Sequence, residues 1–371
     1  MEPITRRQGL GLAVGAAAIA ATPRAMAHAG TPSLNKLAAS KGMRFGSAIA
    51  TSGGGSFANL RYAAIIEREC GLLVPENELK WQAIRPTATT FDFARADAIF
   101  DYAARKGIAM RGHTLLWHRS KWMPRWMETH DFGTRPATAA AAMMTTHVET
   151  VLARYKGRLT SVDVVNETVM PEDGALAQTA LSAAIGSTET LVDLAFHAAR
   201  AAAPGTTLVY NDYMSWEPGN EKHRAGVLRL LEGFRKRGTP VDALGVQSHL
   251  IAVPKPQERA WREFVDGVTA MDYNLLITEF DVRDSMLPAD IFVRDREVAA
   301  VTRAYLDMMF SFSGLRDVLA WGMADPYSWL QGFEPRTDGQ ATRGCPYDAE
   351  FRAKPMREAF AAAFAAAPLR G

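Results

Sequence analysis

Short apolar runs, many of them β-branched, alternate along the chain with longer stretches whose apolar positions recur every three or four residues. The runs fall at 43–49, 72–75, 109–117, 159–165, 207–210, 243–246, 274–277 and 318–321. Helix-period stretches lie between them, over 57–70, 95–106, 138–155, 189–202 and 291–312. Gly107, Gly157, Gly205 and Gly238 follow helical stretches, where a left-handed residue ends the last turn. A strand, a polar loop and a helix, repeated eight times, predict a single α/β domain: a (β/α)8 TIM barrel with enlarged βα loops. A doubly wound open sheet has the same periodicity and is the competing architecture.

The N-terminus departs from this pattern. Thr5-Arg6-Arg7-Gln8-Gly9-Leu10 opens an apolar stretch over 9–21, followed by Pro23 and a small-x-small exit at Ala25-Met26-Ala27. Residues 1–27 are therefore expected to be a twin-arginine-like signal peptide, with an exported catalytic domain over 28–371. Losing that segment removes three arginines and one glutamate, leaving 39 basic and 39 acidic side chains, a formally neutral chain. Neutrality argues against a protein that holds nucleic acid through its phosphates. No apolar stretch reaches the length of a membrane span. Two cysteines, Cys70 and Cys345, are too few for a disulfide framework; one bridge and two buried thiols both remain open.

Polar residues follow directly on the apolar runs. Glu76-Asn77 and Lys80 end the second, His113 and Trp117 lie in the third, Asn166-Glu167 end the fourth and Asn211-Asp212 the fifth. Gln247 and His249 follow the sixth, Glu279 and Asp281 the seventh, and Trp321 ends the eighth with Trp329 beyond it. Strand ends of a barrel converge on one mouth, where such folds carry their chemistry. Glu167 and Glu279 then face each other across it. Two opposed carboxyls, one protonated and one ionised, are the minimum for glycosidic cleavage; a single buried Glu would more simply be a structural ion pair. No metal-ligand spacing, phosphate-binding loop, G-x-S-x-G elbow or nicotinamide fingerprint competes, so neither a metal nor a cofactor is expected. His118, His130, His147, His197 and His223 read as solvated or capping residues. Trp81, Trp122, Trp126, Trp216 and Trp261 read as packing or loop-anchoring residues.

These strand ends resemble glycoside hydrolase family 10, the retaining endo-β-1,4-xylanases. The resemblance spans roughly residues 40 to 365. Asp163-Val164-Val165-Asn166-Glu167 is similar to the family's acid/base strand, and Ile277-Thr278-Glu279-Phe280-Asp281-Val282 to its nucleophile strand. Pro75-Glu76-Asn77-Glu78-Leu79-Lys80-Trp81, Arg111-Gly112-His113-Thr114-Leu115-Leu116-Trp117-His118, Tyr210-Asn211-Asp212, Gln247-Ser248-His249 and the Trp321 to Trp329 stretch are similar to its other signatures. The resemblance implies that Glu167 is the acid/base and Glu279 the nucleophile. It implies that His249 and Asp281 orient Glu279, and that Gln247 tunes Glu167. It also implies sugar contacts from Glu76, Asn77, Lys80, His113, Trp117, Asn166, Asn211, Trp321 and Trp329, with Tyr210 stacking on the leaving-group side. Substrate and state follow as xylan or xylo-oligosaccharides and a monomer. Val74, Leu319-Ala320 and Met323-Ala324-Asp325-Pro326 depart from the family pattern and are expected on the donor-side rim. A related β-glycosidase acting on glucans or aryl-xylosides, and a non-catalytic carbohydrate-binding barrel, are the alternatives.

Overall fold

A computed structural model of the protein describes residues 31–53 and 55–370; the expected signal peptide at 1–27 lies outside them. Ten strand segments make eight staves: β1 (Arg44–Ile49), β2 (Leu72–Pro75), β3 (Ala109–Gly112) with its continuation β4 (Leu116–Trp117), β5 (Leu159–Asn166), β6 (Thr207–Asp212), β7 (Ala243–Val246) with its continuation β8 (His249–Ile251), β9 (Asn274–Arg283) and β10 (Leu315–Ala320). All pair in parallel, and β10 joins both β1 and β9, so the sheet closes on itself. Closure excludes the open doubly wound sheet. The third run breaks into two strands and a second short strand follows the sixth; His113 and Gln247, in the two gaps, line the barrel mouth.

Helices cover the outside, including Leu60–Glu69, Ala94–Lys106, Pro136–Arg154, Thr188–Ala202 and Ile291–Met309, close to the stretches the periodicity predicts. Asn59, Ser187 and Asp290 cap three of these by accepting from first-turn N–H groups. Gly107, Gly157 and Gly238 adopt left-handed backbone after their helices; Gly205 does not.

Strand alternation sends Phe45 to the helix side, where its ring meets Phe360 and Phe364 edge-on at 5.4 and 6.0 Å. The opposite faces form two apolar clusters, Ala48, Leu72, Val74, Leu319 and Trp321 on one side and Val209, Ala243 and Leu276 on the other. Most departures from the family pattern lie deeper than the rim: Val74, Leu319 and Ala320 are fully buried in the barrel wall, whereas Pro326 is exposed. Asp325 is buried as well, held by Lys354 Nζ at 2.9 and 3.0 Å. Cys70 and Cys345 are separate, buried thiols, so no bridge staples the fold. Among the described residues no helix is long and apolar enough to cross a membrane.

The barrel interior also holds a polar lock. Arg111 and Asp163, both fully buried, form a two-pronged ion pair between β3 and β5, and Asp163 Oδ2 lies 2.9 Å from His113 Nδ1. A buried pair that loses one partner leaves an uncompensated charge. Arg111→Met is expected to lower unfolding free energy by about 3–5 kcal/mol, measured by urea denaturation. A loss below about 1 kcal/mol would show that Asp163 finds its counter-charge elsewhere.

Candidate active site

The strand C-termini open onto one cleft of about 530 Å³. Twelve of the expected residues line it: Glu76, Asn77, Lys80, His113, Trp117, Asn166, Glu167, Gln247, His249, Glu279, Trp321 and Trp329. Backbone geometry brings them there. Glu167 follows β5 with φ +56°, and Ser248 lies between β7 and β8 with φ +62°. Neither is glycine, so each such residue stores of order 1–3 kcal/mol of strain. The kink at Glu167 is held by its N–H donating to Asn211 O at 2.9 Å. It turns the carboxyl out of the strand and into the cleft.

The two carboxyls occupy opposite surroundings. Glu167 Oε1 accepts from Gln247 Nε2 at 2.8 Å and from Asn166 Nδ2 at 3.3 Å, both neutral amides. Burial pushes the Glu167 pKa up, and the negative charges of Asp212 and Glu279 add to the rise, against the Gln247 hydrogen bond. Glu279 is buried too, which by itself would raise it. The attraction of His113, the His249 hydrogen bond and charge, and Lys80 overcome burial and hold Glu279 at about 2. Its Oε1 accepts from Asn211 Nδ2 at 2.8 Å, and its Oε2 lies 3.3 Å from His249 Nε2. On the other side of the ring, His249 Nδ1 meets Asp281 Oδ1 at 2.9 Å, and Trp329 Nε1 donates to Asp281 Oδ2 at 2.6 Å. Burial depresses His249, but the two carboxylates outweigh it and raise the ring to about 9. A buried imidazolium therefore sits between two carboxylates at neutral pH.

Three expected residues lie elsewhere. Asn211 is fully buried and does not itself line the cleft. Its amide donates to Asn166 Oδ1 and Glu279 Oε1, each at 2.8 Å, so it links the two carboxyl neighbourhoods instead of reaching a sugar. Gly245 makes room for it, since a Cβ there would stand 2.4 Å from Asn211 Oδ1. Asp281 acts from behind His249. Tyr210 is fully buried, with its hydroxyl donating to Asp212, so it offers no stacking face. The side chain that reaches the cleft is Tyr213, three residues on, beyond the end of β6.

Other wall residues escaped the sequence pattern. Trp122 does not pack inside; it stacks on Trp117 at 4.7 Å and 18° and lines the cleft with Lys121, Arg283 and Phe333. The spacing of Trp117 and Trp122 within one loop was the available signal. Trp81, Trp216 and Trp261 are buried as packing residues. His118, His147 and His223 are fully buried, neither solvated nor at a helix end exposed to water. His147 stacks on Trp81 at 3.8 Å, and burial lowers it to about 3. His223 Nε2 lies 3.0 Å from Asp212 Oδ1. Among the described residues no group of three His, Cys, Asp or Glu side chains is placed to hold a metal ion.

The glycosyl hydrolase family 10 model matches residues 33–363. The chain belongs to glycosyl hydrolase family 10. Among its relatives, endo-1,4-beta-xylanase 1 of Humicola insolens is 31% identical over 328 residues, 87% of this chain and 72% of that protein. The endo-1,4-beta-xylanase 1 of Gibberella zeae is 31% identical over 297 residues, 77% of this chain and 78% of its own. Xylanase 10B from Thermotoga petrophila, solved in complex with xylobiose, superposes with a TM-score of 0.80 at 26% identity, covering 90% of this chain and 97% of that one. As a family 10 member the chain is a glycoside hydrolase on a (β/α)8 barrel.

In this family 10 chain the His249–Glu279 pair ties stability to pH. The raised His249 contributes stability that is complete below its ordinary 6.5 and lost as pH rises through about 9. The depressed Glu279 contributes stability that is complete above its ordinary 4.5 and lost as pH falls through about 2. The destabilisation caused by His249→Gln is therefore expected to peak between pH 4.5 and 6.5 and to shrink on both sides. Urea denaturation of both proteins across pH checks it; a pH-independent difference would reduce His249 to packing.

Proposed function

We propose that this family 10 hydrolase is an endo-1,4-β-xylanase that cleaves internal xylosidic bonds of xylan with retention of configuration. The observation that carries the mechanism is the split between two carboxyls in one cleft: Glu167 raised among neutral amides, Glu279 held at about 2 by cations. The names of the relatives support the substrate class.

In the first step a Glu279 oxygen attacks the anomeric carbon. The bond from that carbon to the leaving sugar breaks, and the departing oxygen takes the proton of Glu167. In the second step Glu167, now ionised, removes a proton from water as the water oxygen attacks the same carbon. The ester bond breaks, and its electron pair returns to Glu279. Retention by this route calls for carboxyl groups about 5–5.5 Å apart. The Asn166 carbonyl is occupied by Asn211, and Gln247 Nε2 approaches it at 3.3 Å, which leaves its Nδ2 group to meet the sugar 2-hydroxyl. Lys80 Nζ donates to Asn77 Oδ1 at 2.8 Å, faces the carboxylates, and binds hydroxyls on the non-reducing side with Glu76 and Asn77. Trp117, Trp321 and Trp329 present flat faces to the apolar faces of the xylose rings. One chain carries every part of this site, so a monomer suffices. Export through residues 1–27 suits a polymeric substrate outside the cell.

Glu279→Ala is expected to abolish release of reducing sugar from xylan, and Glu167→Gln to lower kcat by about 10²–10⁴-fold. A 2-fluoro-xylobioside is expected to add one glycosyl ester to the protein, on Glu279, read by peptide mass spectrometry. Labelling elsewhere, or full turnover by Glu279→Ala, would overturn the mechanism. Faster hydrolysis of carboxymethylcellulose than of xylan would overturn the substrate.

A further inference from the structure

Besides His249 of the relay, Lys80, Lys121 and Arg283 bring positive charge to the cleft wall, and two of these three are balanced. Lys80 is buried, bonded to Asn77, with its charge facing Glu279, Glu76 and Glu167. Arg283 Nη1 lies 3.0 Å from Glu334 Oε2. Lys121 is exposed, and among the described residues it has neither a carboxylate within ion-pair distance nor a hydrogen-bond acceptor. Its ammonium instead rests 4.6 Å from the centroid of the Trp122 ring, which stacks on Trp117. Cation–π contact of this kind holds a charge in place without neutralising it. The short helix that carries both residues, Ser120–Trp122, is itself anchored. Ser120 Oγ donates to Gln178 O at 3.2 Å, and Arg119 Nη2 donates to Val169 O at 2.6 Å and to Tyr213 at 3.1 Å.

We propose that Lys121, held on Trp122, is a specificity-determining residue that receives the carboxylate of a uronic acid branch on the polysaccharide. This rests on the xylan-cleaving function above. An uncompensated cation is of no use to a neutral xylose unit, whose hydroxyls the buried Lys80, Glu76 and Asn77 already face. A branch sugar lies at the edge of the main chain, where an exposed ammonium at the cleft wall meets it without displacing the chain. The indole–ammonium contact removes part of the freedom that a lysine otherwise loses on pairing.

The test compares kcat/KM on three xylo-oligosaccharides of equal length: unbranched, branched with glucuronic acid, and branched with the same sugar after its carboxyl is reduced to an alcohol. The wild-type protein at low salt is expected to favour the acidic over the reduced branch by roughly three- to fivefold. That preference is expected to vanish near 1 M salt, where the screening length falls to about 3 Å. It is expected to be lost in Lys121→Ala and reversed in Lys121→Glu. A wild-type protein that treats the two branches alike, or a preference that survives in Lys121→Ala or at high salt, overturns the proposal. The wild-type salt series decides the matter without any variant. Failure to cleave even the unbranched oligosaccharide would instead strike at the xylanase function itself.

Discussion

Two carboxyl groups in one cleft repel each other, and burial by itself raises both pKa values. The structure depends on breaking that symmetry. It does so with His113 and Lys80 beside Glu279 and with a relay behind it: the Trp329 indole donates to Asp281, Asp281 pairs with His249, and His249 faces Glu279. Glu167 accepts from the neutral amides of Gln247 and Asn166. The same burial therefore leads to opposite outcomes, because its cost is offset on one side and left standing on the other. A shared amide, Asn211, keeps the two environments in fixed relation by bonding both Asn166 and Glu279.

The barrel supports this arrangement through local compromises. A regular strand end would point Glu167 along the ladder; positive φ turns it into the cleft, and Ser248 does the same service between Gln247 and His249. Such strain persists only where surrounding structure over-determines it. Here the determinants are long-range: a ladder in parallel register that sets Asn166 beside Asn211 and His249 beside Asp281, and a glycine at 245 that lets the Asn211 side chain through. Closure of the barrel is what makes those registers mutually consistent.

Most of this was legible in the chain because barrel strands announce themselves by period, and polar residues at their ends have one destination. Eight runs and the residues following them located the cleft and both carboxyls. What was not legible turns on which way a side chain points after the strand stops. Tyr210 lies within β6 and turns its hydroxyl onto Asp212, whereas Tyr213, past the strand end, reaches the cleft; no pattern of types distinguishes them. Asn211 has the chemistry of a sugar ligand, yet its amide is committed to two buried partners. Trp122 looked like packing because indoles usually are, and only the stack on Trp117 shows otherwise. His147 and His223 read as solvated or capping residues, but a buried indole face and the Asp212 carboxylate accommodate them.

Trp329 belongs both to the cleft wall and to the relay behind Glu279. Its ring is part of the cleft wall and stands 4.8 Å from the His249 ring, while its N–H satisfies the outer oxygen of Asp281. Without that donor, Asp281 would keep one buried lone-pair face unpaired, and an unpaired charge in a low dielectric is costly. The cheapest relief is a shift of the Asp281–His249 bond, which reaches Glu279 directly.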